Sequence, residues 1–544
     1  MYEVCKIQFK ILLRSFWIYL TLLGVLSLTI LSYSAMLKSG IPLIGLWIQL
    51  STYPLLCGML FFLMIGIQLS RDSYELIESL NIKCERLILG KVLAILFFEL
   101  IILLIPIILI VQHIIIYGGI TFSLLLNLFG EIIFIWGVAF FVSSMIGFFI
   151  GTFIKNLFSY IIGFAAWYLI TPFPYLNITN SFGLPSKIFS LFNQGIYQIN
   201  SIYEPYRAFI FDKYYILDKV FAIILGLIFI IACIFKKKIV YFKLKSNLKY
   251  VIAMGVLISI NAMIMVYASR ISENQLIMPV SYENSLEKNN NDFRIVSYKM
   301  DIDLTKVLKN KCEIKLTNDS KHSSIVFAMD KHFLIHRISS GGDELKFSVN
   351  NDRVTVYLDE KVLTDNVVNL SIEYSGSIDY KNQIGSSMLY TSNNSVFLNN
   401  DLNWYPIIYN KPNERIHFEV NVKSTNEVQC NLEQNNKKVT NKYITYNFEG
   451  SSINIFLFEG YIDDINIDKT KIYGPTELIK NKKIDYKDIV KYLKYNKYIT
   501  DNNYKVIFVP LSLMGSESKG YNGCAMINEF ILWDYVAKNY HTKE

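Results

Sequence analysis

Residues 250–269 run for twenty positions without a charged side chain, between Lys249 and Arg270. At about 1.5 Å per residue, a helix of that length just crosses the hydrocarbon core of a bilayer. Residues 236–249 before it hold six lysines and no acid. Lysine-rich flanks of short loops stay cytoplasmic. This helix is therefore expected to run from inside to outside and to leave residues 271–544 beyond the membrane. A membrane part precedes it, and an extracytoplasmic globular part follows.

Charge divides the same way. Residues 1–270 carry 20 Lys+Arg and 10 Asp+Glu, and residues 271–544 carry 33 and 35. The net charge of +8 thus belongs to the membrane half, where it sits at helix ends. It reads as an orientation signal and as contact with anionic lipid, and it argues against nucleic acid as a partner. The seven cysteines form no CxxC pair. Cys312 and Cys430 are eligible for a disulfide in an oxidising exterior, which sequence does not decide. The basic start, with Lys6, Lys10 and Arg14, leads into a first anchor rather than a cleaved signal peptide.

Apolar runs place spans at 16–37, 43–69, 92–117, 157–176, 214–235 and 250–269, with a longer run at 120–154. The start of that long run, with Asn127 and Glu131, is expected at the outer interface or re-entering. The expected fold of this half is a membrane α-helical bundle of 6–7 transmembrane helices, residues 1–249 plus the final helix 250–270. The inner segments hold fourteen Lys+Arg and the outer loops four, which favours an odd number of crossings with the N-terminus inside.

Residues 70–91 interrupt the apolar runs. Tyr74, Ile77, Leu80, Leu87 and Ile88 recur at roughly helical spacing between charged residues, which predicts a short amphipathic helix on the inner surface. It serves either to shield the bundle or to dock a cytoplasmic partner. The charged loop after the second span, the Gly90-Lys91 pair opening the third and a long outer loop before the sixth resemble permeases of ABC-2-type transporters, over about residues 1–245. That resemblance implies a separate ATP-binding subunit, docking on Arg71, Glu75, Glu78, Arg86, Gly90 and Lys91, and a second permease copy as a further partner. Residues 89–92 lack the leading glycine and the hydroxyl residue of a phosphate loop, so this stretch does not cradle ATP.

Two carboxylates, Glu99 and Glu131, fall inside apolar runs. A charge at mid-bilayer costs at least about 2.5 kcal/mol, so each needs a partner or water. Glu99 reads equally as lining a substrate path or as a hydrogen-bonded helix contact. Glu131 and His113 are expected near the outer interface.

Residues 271–293 are polar and asparagine-rich and read as a linker with few contacts. From Arg294 the period changes to two. Short alternating runs separated by Asn, Asp and Gly turns predict an extracytoplasmic antiparallel β-sandwich over 294–465. Residues 480–497 predict a solvated amphipathic helix with Ile484, Ile489, Val490 and Leu493 inward. The start of an α+β segment is expected over 466–544.

Tyr374-Ser-Gly376 and Trp404-Tyr405-Pro406 resemble marks of the N-terminal β-domain of M1 zinc aminopeptidases. Residues 504–510, YKVIFVP, precede Cys524-Ala525-Met526-Ile527-Asn528, which resembles the GxMEN loop that lines the cleft in that family. Cys524 replaces its glycine, and Ile527 replaces the glutamate that holds the peptide's amino terminus. The family's HExxH zinc motif, two imidazoles on one helix face with a glutamate to activate water, is missing from the chain, and the family's spacing places it past Glu544. His332 and His336 are four apart. On a strand they would lie about 13 Å apart, too far to share zinc, and the flanking residues favour a strand.

The resulting expectation is a permease subunit of an ABC-type export system at the cell membrane. Its outer module is M1-like and non-catalytic and binds a peptide or lipid substrate or a partner. No cofactor is expected, and zinc enters only if an HExxH segment is supplied. The alternative is a membrane-anchored M1-family aminopeptidase whose catalytic segment lies beyond this chain.

Overall fold

The computed structural model describes residues 2–38, 47–48, 51–71, 83–118, 120–171, 191, 194, 213–241, 248–273, 276–277, 293–318, 322–359, 366–381, 387–392, 395–399, 402–408, 414–482, 484–500, 505–509, 518–521, 524–528, 531 and 535. They form two compact units, one helical and one β-rich that begins at Gln275.

The helical unit contains α1 (Tyr2–Leu12), α2 (Phe16–Lys38), α3 (Thr52–Arg71), α4 (Cys84–Tyr117), α5 (Phe122–Ile132), a π turn (Ile133–Gly137), α6 (Val138–Phe153), α7 (Phe158–Ile170), α8 (Lys213–Tyr241) and α9 (Leu248–Glu273). Among the described residues, six helical runs are long and apolar enough to cross a membrane: α2, α3, α4, the α5–α6 run, α8 and α9. The run expected to re-enter at 120–154 is one helical passage, opened by Thr121, whose hydroxyl accepts from the Leu124 amide. The third span starts at Cys84, not at residue 92, because apolar Leu87, Ile88 and Leu89 continue straight into it.

Side-chain bonds fix which ends of these helices lie together. At the near end, the Ser15 hydroxyl donates to Gln68 Oε1 at 2.5 Å, tying the start of α2 to the end of α3. Lys91 Nζ donates to the Leu69 carbonyl at 2.6 Å, which brings in the start of α4. Arg71 donates to the Asn156 carbonyl and to Ser159 Oγ, which brings in the α6–α7 corner. Lys238 Nζ meets Glu85 Oε1 at 2.5 Å, and Tyr250 OH donates to the same oxygen, adding the end of α8 and the start of α9.

At the far end, Tyr33 OH meets His113 Nδ1 at 3.0 Å. Gln194 donates its amide to the Ile170 carbonyl, and its Oε1 accepts from Lys219, joining the end of α7 to the start of α8. Ala268 near the end of α9 packs with Phe221 of α8 and Leu191. The thirteen-residue α7 rises only about 20 Å, yet it starts at Arg71, passes Leu56 through Trp167 Nε1 and finishes beside α8's first turns. It therefore passes from one end of the bundle to the other. Among the described residues, α1 and the last turn of α9 lie at opposite ends of the bundle.

The closest seam joins α3 and α6. A Cβ at Gly66 would overlap the Ser144 carbonyl, and one at Gly147 would overlap the Leu63 carbonyl. Small residues let two backbones meet where lipid supplies no hydrophobic drive.

In the β-rich unit, an eight-stranded sheet runs in the order Glu433–Val439, Ile444–Ser452, Ile416–Ser424, Phe293–Asp303, Leu308–Asn318, Val367–Gly376, Phe333–Ser340, Asp343–Glu344. Six- and three-stranded sheets share one buried core with it. The expected all-antiparallel order is corrected at two seams: Phe293–Asp303 and Ile416–Ser424 pair in parallel, and so do Leu276–Ile277 and Asp379–Lys381. Leu276–Ile277, inside the expected linker, pairs with Asp379–Lys381.

The two aromatic marks meet in space. Tyr374 OH donates to the Trp404 carbonyl at 2.9 Å, and Tyr298 OH donates to the Pro406 carbonyl at 2.7 Å. Tyr298 also stacks on Phe418 at 5.1 Å. Gly376 is required because a Cβ there would come within 2.8 Å of the His332 carbonyl. A five-stranded mixed sheet follows, Ile462–Ile467, Thr470–Pro475, Lys505–Val509, Cys524–Asn528 and Ser518–Tyr521. With it are α10 (Thr476–Ile479) and α11 (Tyr486–Tyr495), the latter burying Ile489, Val490 and Leu493 as expected, while Ile484 precedes the helix, half-buried.

Candidate functional site

The residues expected to dock an ATP-binding subunit do not share one surface. Lys91 is 1% exposed, and its ammonium caps the last carbonyls of α3, where the helix dipole is negative. Arg71 is held by Asn156 and Ser159, with its guanidinium 4.8 Å over the Tyr160 ring. Gly90 is buried, and a Cβ there would come 2.6 Å from Val4 Cγ1, so it is the seat of α1 on α4. These three are corrected from loop residues to packing residues: an apolar face on both sides draws the cations inward to helix ends. Arg86 stays exposed on α4. Glu75 and Glu78 lie outside the described residues. Sequence reading missed Glu85, which gathers Lys238 and Tyr250. Its signal was the lysine run 236–238, which needs an acid wherever it packs.

The interior of the bundle holds the two carboxylates. Glu99 lies midway along α4, a helix about 51 Å long. It is 6% exposed, and its Oε2 has no hydrogen-bond partner among the described residues. It faces the π turn, where a Cβ at Gly137 would stand 3.5 Å from Glu99 Oε1. Glu131, expected at the interface, is wholly buried two residues before that turn. His113, at the far end of the bundle, is also buried. It stacks on Tyr117 at 4.6 Å and bonds Tyr33, which packs edge-on against Trp47. A π turn inside an α-helix interrupts the regular ladder and is frequent at functional sites.

In the β-rich unit, the stretch expected as a cleft loop is a strand. Cys524–Asn528 pairs in parallel with Lys505–Val509 and antiparallel with Ser518–Tyr521. Cys524, Ala525, Met526 and Ile527 are all buried, so these four side chains line no cleft; the Asn528 side chain lies outside the described residues. All-apolar burial on both faces hides the alternation that marks strands in sequence. Lys505, in register with Cys524, donates to the Cys430 carbonyl at 2.6 Å, and burial lowers the pKa of its ammonium. Glu459 is wholly buried. Burial pushes its carboxyl up to about 7, against hydrogen bonds from Ser424 and the Asn426 and Thr425 amides that pull it down.

His336 lies on the strand Phe333–Ser340 as expected, whereas His332 lies in the turn that precedes it, and each has its own partners. His332 meets Asp330 and Tyr380, both at 3.0 Å, and His336 meets Ser375 at 2.7 Å. Zinc needs three or four donors at about 2.0–2.3 Å. Among the described residues, no three His, Cys, Asp or Glu side chains are grouped to hold a metal. The described part of this unit does not fit zinc. Cys312 and Cys430 are both buried free thiols.

No protein-family model matches the chain, and no curated protein matches it. Among solved structures, it is similar to a two-domain M1 zinc metallopeptidase mutant bound to L-tryptophan, at 11% identity and a TM-score of 0.34, over 46% of this chain and 64% of that one. It is also similar to the M1 zinc metallopeptidase from Deinococcus radiodurans, at 11% and 0.33, over 45% and 63%. Yeast LTA4 hydrolase in complex with bestatin stands at 12% and 0.33, over 48% and 44%. The chain spans less than two thirds of the length of each.

Proposed function

We propose that the chain is the permease subunit of an ABC-type export system. On this reading the N-terminus is cytoplasmic and the β-rich unit is extracytoplasmic. A separate ATP-binding subunit docks at the near end of the bundle, on Arg86 and residues 72–82. The observation that carries the reading is the bundle interior. One pass would anchor an outer domain, whereas six described helices are long enough to cross, and Glu99 is buried among them against a π turn with one oxygen unpartnered among the described residues. Intramembrane carboxylates of this kind mark substrate or ion pathways. The outer module binds a peptide or lipid cargo, or a partner, without cleaving it. Its conspicuous residues, Tyr374, Trp404 and Met526, are buried in its core.

The test is purification of the full chain from its native membranes with bound subunits. ATP hydrolysis that travels with the chain and is lost in Arg86→Glu supports the reading. A folded chain that purifies with ATPase activity indifferent to Arg86→Glu, or with none, overturns it.

A further inference from the structure

Four buried aromatic rings link the two sides of the Glu99 site. Phe62 stands 5.6 Å from Phe98 and 4.8 Å from Phe140, and Phe140 stands 5.9 Å from Trp136, centroid to centroid. Phe98 precedes Glu99 on α4, and Trp136 precedes Gly137 on the π turn. The arc of rings therefore ends on the neighbours of the two residues that face each other, Glu99 and Gly137. All four rings are at most 1% exposed.

Among the described residues no cation neutralises this carboxylate, and its Oε2 is unpartnered. Lys91 lies about 12 Å earlier along α4, with its ammonium on the Leu69 carbonyl. Lys219 meets Asp218 at 3.1 Å and Gln194 at 3.2 Å. The other group buried beside the turn, Glu131, is also an acid. A carboxylate at this depth is costly until a counter-charge reaches it, and a cation at this depth is costly too. Aromatic faces attract a desolvated cation.

Room for an apolar body adjoins the carboxylate. A Cβ at Gly137 would stand 3.4 Å from Leu103 Cδ1 as well as 3.5 Å from Glu99 Oε1. Leu103 and Ile133 line a groove of about 550 Å³ between α1 and α4, together with Phe97, Leu100 and Leu104. The groove's lysine, Lys6, follows Val4, which packs on Gly90, and this sets it about two turns before Glu99. The groove is thus apolar where it adjoins Glu99.

We infer that the cargo is an amphiphilic amine, an apolar body carrying an ammonium group, and that Glu99 receives the ammonium. The body lies in the groove against Leu103 and Ile133, and the charge passes Leu103 to the carboxylate beside the aromatic arc. Charge complementarity selects this occupant. A neutral chain fills the groove without using Glu99, and an anion is repelled by it, whereas a cation cancels a charge that no described residue cancels. The inference rests on the permease reading and names its substrate class.

The experiment is equilibrium dialysis of the full chain, purified in detergent with the subunits that travel with it. The probes are tetraphenylphosphonium and tetraphenylborate, which share one shape and carry opposite charge. The expected result is one tetraphenylphosphonium bound per chain, with tetraphenylborate held at least about tenfold more weakly. Glu99→Gln should cut the affinity for tetraphenylphosphonium at least about tenfold, the low end for a close charge pair, and Glu99→Asp should keep most of it. Leu103→Trp closes the passage and leaves the carboxylate in place; it should cut the affinity as well, which keeps the inference testable if Glu99→Gln misfolds. Equal binding of the two probes, binding unchanged in Glu99→Gln, or binding lost in Glu131→Gln instead overturns the inference. Glu99-dependent binding in a chain without Arg86-dependent ATPase overturns the permease reading and leaves the cation site standing. Arg86-dependent ATPase in a chain that does not distinguish the two probes does the reverse.

Discussion

The helical unit and the β-rich unit both bury charged side chains, and they use them differently. In the helical unit Lys91 and Arg71 cap carbonyls and corners at the near end, and Glu85 ties three helices there. The interior then keeps Glu99 with an oxygen that no described residue satisfies. In the β-rich unit, Glu459 and Lys505 sit on strands and bond the backbone of neighbouring turns and strands. The first arrangement leaves a buried carboxylate oxygen unpartnered among the described residues, and the second fastens architecture; on the proposed reading, transport chemistry lies in the helical unit and recognition in the β-rich unit.

The largest expected effect breaks the helical unit at its tightest seam. Gly147→Leu drives a side chain into the Leu63 backbone, and overpacking of this kind, against backbone that has no room to give, exceeds the usual cost of about 1–3 kcal/mol. No monodisperse full-length protein should elute in size-exclusion chromatography. A wild-type profile would mean that α3 and α6 are not in contact.

Next in size is a contrast within the stretch expected to dock a partner. Arg71→Glu places a carboxylate against the Asn156 carbonyl and should destabilise the chain by about 1.5–3 kcal/mol, the weight of a hydrogen bond to a charged group. Arg86→Glu, exposed, should change the melting midpoint little while removing any coupled ATPase. Equal losses of stability in the two variants would show that both are packing residues.

The effect that is smallest at neutral pH separates the two units by their pH dependence. Glu459 has a carboxyl held at about 7 when folded, against about 4.3 when unfolded. The folded state therefore binds this proton more tightly. Its stabilisation is complete below about pH 4.3 and is lost as pH rises through 7, a change of about 4 kcal/mol. Glu459→Gln should remove that slope from protease resistance of the β-rich unit, with helical-unit resistance unchanged. An identical slope in the variant would assign the proton elsewhere.

Much of this was legible in the sequence. Uncharged runs between basic flanks gave the passes, because a bilayer demands length and apolarity and little else. Alternation gave the strands around Tyr298, Ile372 and Val420. The neighbours of each strand were not legible, since period-two alternation is the same whether Ile416–Ser424 pairs in parallel or antiparallel. Lys91 looked like a membrane flank, and only packing shows that it caps α3. The π turn left no mark in 133–137, and the strand at Cys524–Asn528 hid behind continuous burial. The near-end knot at Glu85 depends on residues 153 and 165 positions away, a pairing that local pattern does not encode.

The proposed reading sets α1 and the end of α9 on opposite sides of the membrane. The most direct test is to tag both termini of the full chain and to label intact cells, and then permeabilised cells, with a membrane-impermeant reagent. The account predicts that the C-terminal tag reacts in intact cells and the N-terminal tag only after permeabilisation. Both tags reacting on the same side of the membrane would contradict it.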